Sequence, residues 1–570
     1  MPPQLALLLC CCLIGWLFRK DMRWREAGST ALLIPGIWLA IQGSRPVSYW
    51  FGLGGGDNNT EGNPINTFIF AVLIVAAVIV LGKRGLNWGE LIWKNRALFL
   101  IYFYFALSAF WSDMPLVSLK RLVKDFGCVL VALVLLTEEN PAEAVRTVFV
   151  RVAYFLFPLS LVVGKYFPEI GRGYTNDGDP MFTGLTTQKN TLGQVVFVFG
   201  LIILWDLIET VMSKGGPERK HQSWIRPGIF LLGVWLLVTC DSQTSLVCFV
   251  VGIIVLWSSG RLVQMKHGKR VLISCLAVGI CLAAADKTFG FSEIVIRALG
   301  RNPTLTGRTD IWRVVKEQKT DPLIGEGFYI FWDSAKGGAV VDSLTRIQST
   351  HNGYLEMYVD GGLLGDILLG CLLLLGGRRV INRLFSGAAL GRIGLVFWVI
   401  AIIYNLSESS FFRLNALWFT LLLVMIECPR RSFRSAVVAV GEGNGSLASG
   451  EVNPPSACGG PGLERSITKL RMPIINTDDW QHSQTETGRG LFYDRCCWLP
   501  RRAICTQLSV EPVLNQDQRF DVSSCGSVRF LGGSVRFSGV RIGAVNRRWP
   551  FLRRFGWWSS NKVFPSWALA

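Results

Sequence analysis

Apolar runs close to one bilayer in length recur along the first three quarters of this chain, and no other feature restricts its fold as tightly. A hydrocarbon core about 30 Å thick takes roughly 20 mostly apolar residues as a helix. Inside that core a segment must satisfy its own backbone hydrogen bonds, which a helix does. Thr67 to Leu81 and Val271 to Ala285 carry no charge at all. Read in order, the candidate spans are 5–18, 29–43, 67–82, 97–110, 126–137, 148–164, 191–208, 227–239, 246–257, 271–285, 358–376, 393–404 and 414–426. They predict an all-α, polytopic transmembrane bundle of about 12–13 spans. Composition agrees. Half of the 570 residues are hydrophobic, 17% are charged and the mean hydropathy is +0.37, too little charge to solvate a globular surface of this size.

The formal net charge of +18 is placed like a topology signal rather than a nucleic-acid footprint. Arg19, Lys20, Arg23 and Arg25 follow the first span, Lys83, Arg84, Lys94 and Arg96 the third, Arg261, Lys266, Lys269 and Arg270 the ninth, and Arg378, Arg379 and Arg383 the eleventh. Short basic loops stay cytoplasmic, which puts 44–66, 111–125, 165–190 and the longest loop, 286–357, outside. Two stretches run against this scheme: 138–146 is acidic, and 111–125 carries Lys120, Arg121 and Lys124. Of fifteen cysteines, ten lie in or beside apolar runs and read as small buried side chains, not as a disulfide framework.

The N-terminus lacks the basic region of a cleaved signal, so 5–18 is read as a retained span. Residues 1–430 form the expected membrane domain. From 431 to 570 glycine, serine and arginine dominate and periodicity fades. That segment is expected to be a disordered basic cytoplasmic tail, an appendage without a role of its own in the favoured reading, with contact of its tryptophans with an anionic membrane surface as the alternative.

Three clusters in the long outer loop carry the chemistry: Leu305 to Trp312, Asp321 to Phe328, and His351 to Glu356. Arg308 follows a glycine at a predicted helix start, and Gly325 and Gly327 bracket a turn. Of the four histidines, His221 and His267 fall in cytoplasmic loops, His482 in the tail, and only His351 outside. An all-histidine zinc site is therefore excluded, leaving a base or a hydrogen-bond donor.

His351-Asn352, nine residues, Gly362, two residues and Gly365 resembles the H-[NSQ]-x9-G-x-x-G signature of the O-antigen ligase and polymerase superfamily. Gly184 to Gly193, with Gln188-Lys189-Asn190 at its centre, and the Thr306 to Trp312 and Pro322 to Phe328 stretches resemble further family segments in the same order. The resemblance covers roughly 30–430. Arg45 to Trp50 and Glu61 to Pro64 look most like the exopolysaccharide-production branch.

That resemblance implies a GT-C-like membrane glycosyltransferase of the bacterial inner membrane, active at the periplasmic face. The implied donor is an undecaprenyl-pyrophosphate-linked oligosaccharide and the acceptor a glycan hydroxyl. It also implies membrane lipids and a chain-length regulator as partners, with no metal, no cofactor and no nucleic acid. His351 and Arg308 are the expected catalytic residues. Arg172, Arg301, Lys189, Gln188 and Asn352 are the expected substrate-binding set, guanidinium forks being suited to a departing diphosphate. Polymerisation of repeat units leads. Ligation to lipid A core or to a protein is the near alternative, and polysaccharide transport the alternative of another class.

Simpler roles stand beside these. His351 could cap a helix, Arg308 could pair with Asp310, and Lys189 could snorkel at a span boundary. The Asp177-Gly178-Asp179 pattern is accounted for by turn chemistry, and Gly54-Gly55-Gly56 lacks the context of a phosphate loop. Glu326 and Glu408 read as structural groups near the membrane face.

Overall fold

The computed structural model describes residues 1–24, 29–52, 63–174, 178, 180–212, 224–289, 308–344 and 348–429. The expected tail, Arg301, His221, His482, Asp177, Asp179 and Gly54 to Gly56 lie outside these. The described residues belong to a single unit within Met1–Glu442.

Each of the thirteen predicted spans is a helix. They are α1 (Pro3–Trp24), α2 (Leu33–Gln42), α3 (Pro64–Lys83), α4 (Arg96–Leu107), α5 (Pro115–Leu136), α6 (Pro141–Tyr166), α7 (Lys189–Met212), α8 (Ile225–Thr239), α9 (Gln243–Gln264) and α10 (Gly268–Phe289). Two short helices, α11 (Arg308–Glu317) and α12 (Ala335–Ser343), stand in the long loop. The last spans are α13 (Gly353–Phe385), α14 (Gly391–Tyr404) and α15 (Ala416–Met425). Five are long and apolar enough to cross a membrane by themselves, with shorter apolar helices around them. The chain is an all-α, multi-pass membrane protein. A two-stranded hairpin, β1 (Arg172–Tyr174) with β2 (Pro180–Phe182), closes the 165–190 loop.

Burial separates a centre from a periphery. The apolar window of α7 is 78% buried and that of α3 only 22%, so α3 offers its apolar surface outward, as a lipid-facing helix does. α9 packs on α14, α7 on α8 and α9, α1 on α6, and α13 on α14. Small residues bring these helices close: Gly193 of α7 faces Ser245 of α9 and its cap residue Ser242, and Gly377 of α13 faces Trp398.

The two stretches that disturbed the charge pattern resolve in three dimensions. Residues 115–125 are the first turns of α5, not a loop. From there Arg121 reaches the long loop, donating to Asp333 (2.5 Å) and to the Tyr329 carbonyl. At the other end of α5, about 25 Å away at 1.5 Å per residue, Glu138 pairs with Arg84, so the acidic loop neutralises a basic one. The cysteine expectation holds in part. Cys10, Cys128, Cys240 and Cys248 are buried, whereas Cys11, Cys12, Cys275 and Cys371 point outward from their helices, because a lipid-facing position also accepts a small apolar thiol.

Candidate functional site

The signature around His351 works first as backbone engineering. Asn352 caps α13, its Oδ1 accepting from Tyr354 N (3.0 Å) and Leu355 N (3.2 Å). His351 itself has φ +50°, a strained conformation for a side chain of this kind. It is held there by Ser349 Oγ, which accepts from its N–H, and by Thr350, whose hydroxyl bonds the Asn352 carbonyl.

Ten residues on, Gly362 breaks α13 with φ +59°. The freed backbone groups pair with the 322–327 segment: Glu326 N donates to Val359 O, Gly327 N to Asp360 O, Leu363 N to Pro322 O and Leu364 N to Leu323 O, all at 2.9–3.1 Å. Tyr104 of α4 adds its hydroxyl to the Gly361 carbonyl (2.6 Å). The two glycine-containing motifs, 322–328 and 361–365, are thus halves of one junction. Irregular backbone at a membrane helix is tolerated where protein satisfies it in this way.

α11 presents Arg308 and Trp312, one turn apart, to the start of α13. Trp312 Nε1 donates to the Thr350 carbonyl (2.8 Å). Arg308 Nη2 donates to Glu408 Oε1 (2.6 Å), rather than pairing with Asp310, which bonds Arg313. The other oxygen of Glu408 lies 3.1 Å from His351 Nδ1. Asn190, at the start of α7, donates its Nδ2 to Glu408 Oε1 (2.8 Å), and its own Oδ1 accepts from Ser242.

Glu408 therefore joins four elements: α7, α11, the start of α13 and the 405–415 turn between α14 and α15. Asn405, fully buried, shapes that turn by accepting from Ser410 N and Phe411 N. The carbonyls of Asn405 and Glu408 accept from Gly353 N. His351 keeps 28% of its side-chain surface and Arg308 14%, against 8% for Glu408, so the first two are the more open side chains and the carboxylate lies behind them.

A second ionic cluster braces the first. Arg413 lies between Asp360 Oδ2 (3.0 Å) and Glu356 Oε2 (3.4 Å) and stacks 3.7 Å from the Tyr329 ring centre. Burial alone would favour losing its proton, but Asp360 and Glu356 outweigh that and hold its pKa above the ordinary guanidinium value. Glu356 also accepts from Thr350 N and Trp332 Nε1, which ties the brace to the residue preceding His351.

Residues 228–370 match the family model described as O-Antigen ligase, a stretch holding Arg308, His351, Asn352, Gly362 and Gly365. Over this segment the chain is similar to the O-antigen ligase and polymerase superfamily. It is also 26% identical over 322 residues to the exopolysaccharide production protein ExoQ of Rhizobium meliloti (strain 1021), covering 53% of this chain and 67% of the relative. Both similarities point to a membrane glycan-processing enzyme.

Among the residues expected in the superfamily site, Arg308 and His351 meet on Glu408. Asn352 lies beside them with its oxygen committed to the cap. Lys189 begins α7 and approaches Asp241 (3.8 Å). The Gln188 side chain is exposed, and its carbonyl accepts from Thr186 Oγ1 (2.9 Å). It is Asn190, the residue after Lys189, that enters the network. Arg172 on β1 donates to the Gly164 carbonyl (3.0 Å), and no described contact joins it to the Arg308 group. In the sequence Glu408 reads as a structural group and Asn190 as one residue of a family segment, and neither is assigned to the site. The available signal was a lone carboxylate in a short polar turn, Asn405 to Ser410, between two apolar helices.

Proposed function

We propose that this protein polymerises lipid-linked repeat units of a surface polysaccharide or exopolysaccharide. The donor is an undecaprenyl-pyrophosphate-linked glycan and the acceptor a hydroxyl of another glycan, at the periplasmic face of the bacterial inner membrane, without metal or cofactor. The observation that carries this reading is the meeting of Arg308 and His351 on the two oxygens of Glu408.

The reaction makes two demands. Negative charge builds on the departing diphosphate oxygen, and the acceptor hydroxyl loses a proton. The acceptor oxygen bonds to the anomeric carbon while the bond from that carbon to the diphosphate oxygen breaks, its electron pair staying on the diphosphate. The proton passes to His351 Nε2. Arg308 spends one guanidinium nitrogen on Glu408 and has other N–H groups for the diphosphate. Arg172, Arg301 and Lys189 supply further positive charge from the outer loops, Gln188 and Asn352 complete the cavity rim, and a chain-length regulator acts on the growing polymer.

The name of the Rhizobium relative, an exopolysaccharide production protein, supports polymerisation. The description of the matching family favours a second reading, transfer of the finished glycan to lipid A core. Membranes containing the protein, given a labelled lipid-linked repeat unit, are expected to yield a ladder of lipid-linked chains that persists in EDTA. Core-linked product without a ladder would assign ligation instead. Full activity of His351→Ala at normal protein level would remove His351 from the chemistry.

A further inference from the structure

We infer that Glu408 is a positioning residue that sets the tautomer of His351, placing the ring hydrogen on Nδ1 and leaving Nε2 as the base. The inference rests on the reading of His351 given above. Glu408 Oε1 already accepts from Arg308 Nη2 (2.6 Å) and Asn190 Nδ2 (2.8 Å). Asn190 cannot turn its amide over without cost, because its Oδ1 would then face the acceptor-only carboxylate at 2.8 Å. With two donors fixed on one side, the carboxylate offers Oε2 to His351 purely as an acceptor at 3.1 Å. The hydrogen between them must then belong to Nδ1. In a neutral imidazole Nε2 is left as the acceptor, and no described residue bonds it. The strained backbone of His351 and the buried position of Glu408 hold the pair in this relation, as expected of a geometry retained for function.

This arrangement makes the nearly isosteric Glu408→Gln the most informative change. Its carbonyl oxygen satisfies Arg308 and Asn190, so its NH2 group faces Nδ1. A donor there forces Nδ1 to accept, moves the ring hydrogen to Nε2 and removes the base, while the packing and the hold on Arg308 survive. Glu408→Asp keeps an acceptor facing the ring.

The full-length protein, H351A, E408Q, E408D and E408Q/H351A are reconstituted in vesicles with a lipid-linked repeat unit. The ¹⁵N spectrum of His351 is recorded in a chain whose His221, His267 and His482 are replaced by glutamine. E408Q is expected to lower kcat by about 100-fold or more, with donor KM changed by less than about threefold because Arg308 keeps its partner. E408D is expected to retain more of the rate. In the H351A background E408Q should cost less than about twofold further. The spectrum should report Nδ1–H in the wild type and Nε2–H in E408Q.

A near-normal rate for E408Q, an equal loss in both backgrounds, or Nε2–H in the wild type would overturn the inference. If E408Q fails to accumulate, E408D and the wild-type spectrum decide. If H351A polymerises at the full rate, the reading of His351 as the base fails, and the spectrum alone judges whether Glu408 sets the ring.

Discussion

At the scale of single residues, two arginines do opposite work. Arg308 is partly open, and in the proposed reaction its remaining N–H groups meet the diphosphate, so its value lies in the planar fork. Arg308→Lys keeps the charge and loses the fork. Polymer formation is expected to fall by roughly 10- to 100-fold, mainly through a higher donor KM. Arg413 is instead sealed between Glu356 and Asp360, whose side chains are 4% and 2% exposed. Arg413→Met strands two buried carboxylates and should cost about 3–5 kcal/mol, read as earlier thermal unfolding of the detergent-solubilised protein. Since the pKa of Arg413 is raised, the guanidinium itself stays charged at every pH below its ordinary value, and its deprotonation weakens the cluster only above that. Much of this was legible beforehand. Arg308 and His351 stood out by residue type, scarcity and motif. Arg413 and Glu408 did not, because a charge in a short turn looks the same whether it meets water or a buried partner.

At the scale of elements, the break in α13 decides whether the site assembles. A Cβ at Gly362 would run into the Leu323 backbone, and its φ of +59° adds roughly 1–3 kcal/mol of strain for an alanine. Gly362→Ala is expected to abolish polymer formation and lower thermal stability. Gly370→Ala, in the same helix with nothing within 4 Å of the new methyl, should leave both unchanged. Helix positions were readable from apolar periodicity, with ends displaced where charge intrudes. α5 begins eleven residues before the predicted 126 because Lys120, Arg121, Lys124 and Asp125 mask a continuous helix. The break itself was announced only as a pair of glycines. That it pairs with 322–327 depends on long-range backbone bonds, which local pattern does not encode.

At the scale of the whole molecule, the helices carry two sets of ionic contacts to opposite ends. Arg121–Asp333 and the Arg308–Glu408–His351 group lie with the long loop, and Arg84–Glu138 and Lys94–Glu427 lie at the far end. The proposed orientation predicts which end meets the outside. In a chain lacking its exposed native cysteines, Arg313→Cys on α11 should react with an impermeant thiol reagent in intact cells, and Ser386→Cys only after permeabilisation. The reverse pattern would place the site in the cytoplasm. By itself the sequence determined that this chain is a bundle of membrane helices, where they run, and which histidine carries the signature, because hydropathy and motif spacing are local properties. Only the tertiary structure decided that Glu408 and Asn190, 218 residues apart, share that histidine's site, and that a broken helix is completed by a distant loop. Which buried charge meets which donor is settled by packing, and packing follows from the whole chain at once.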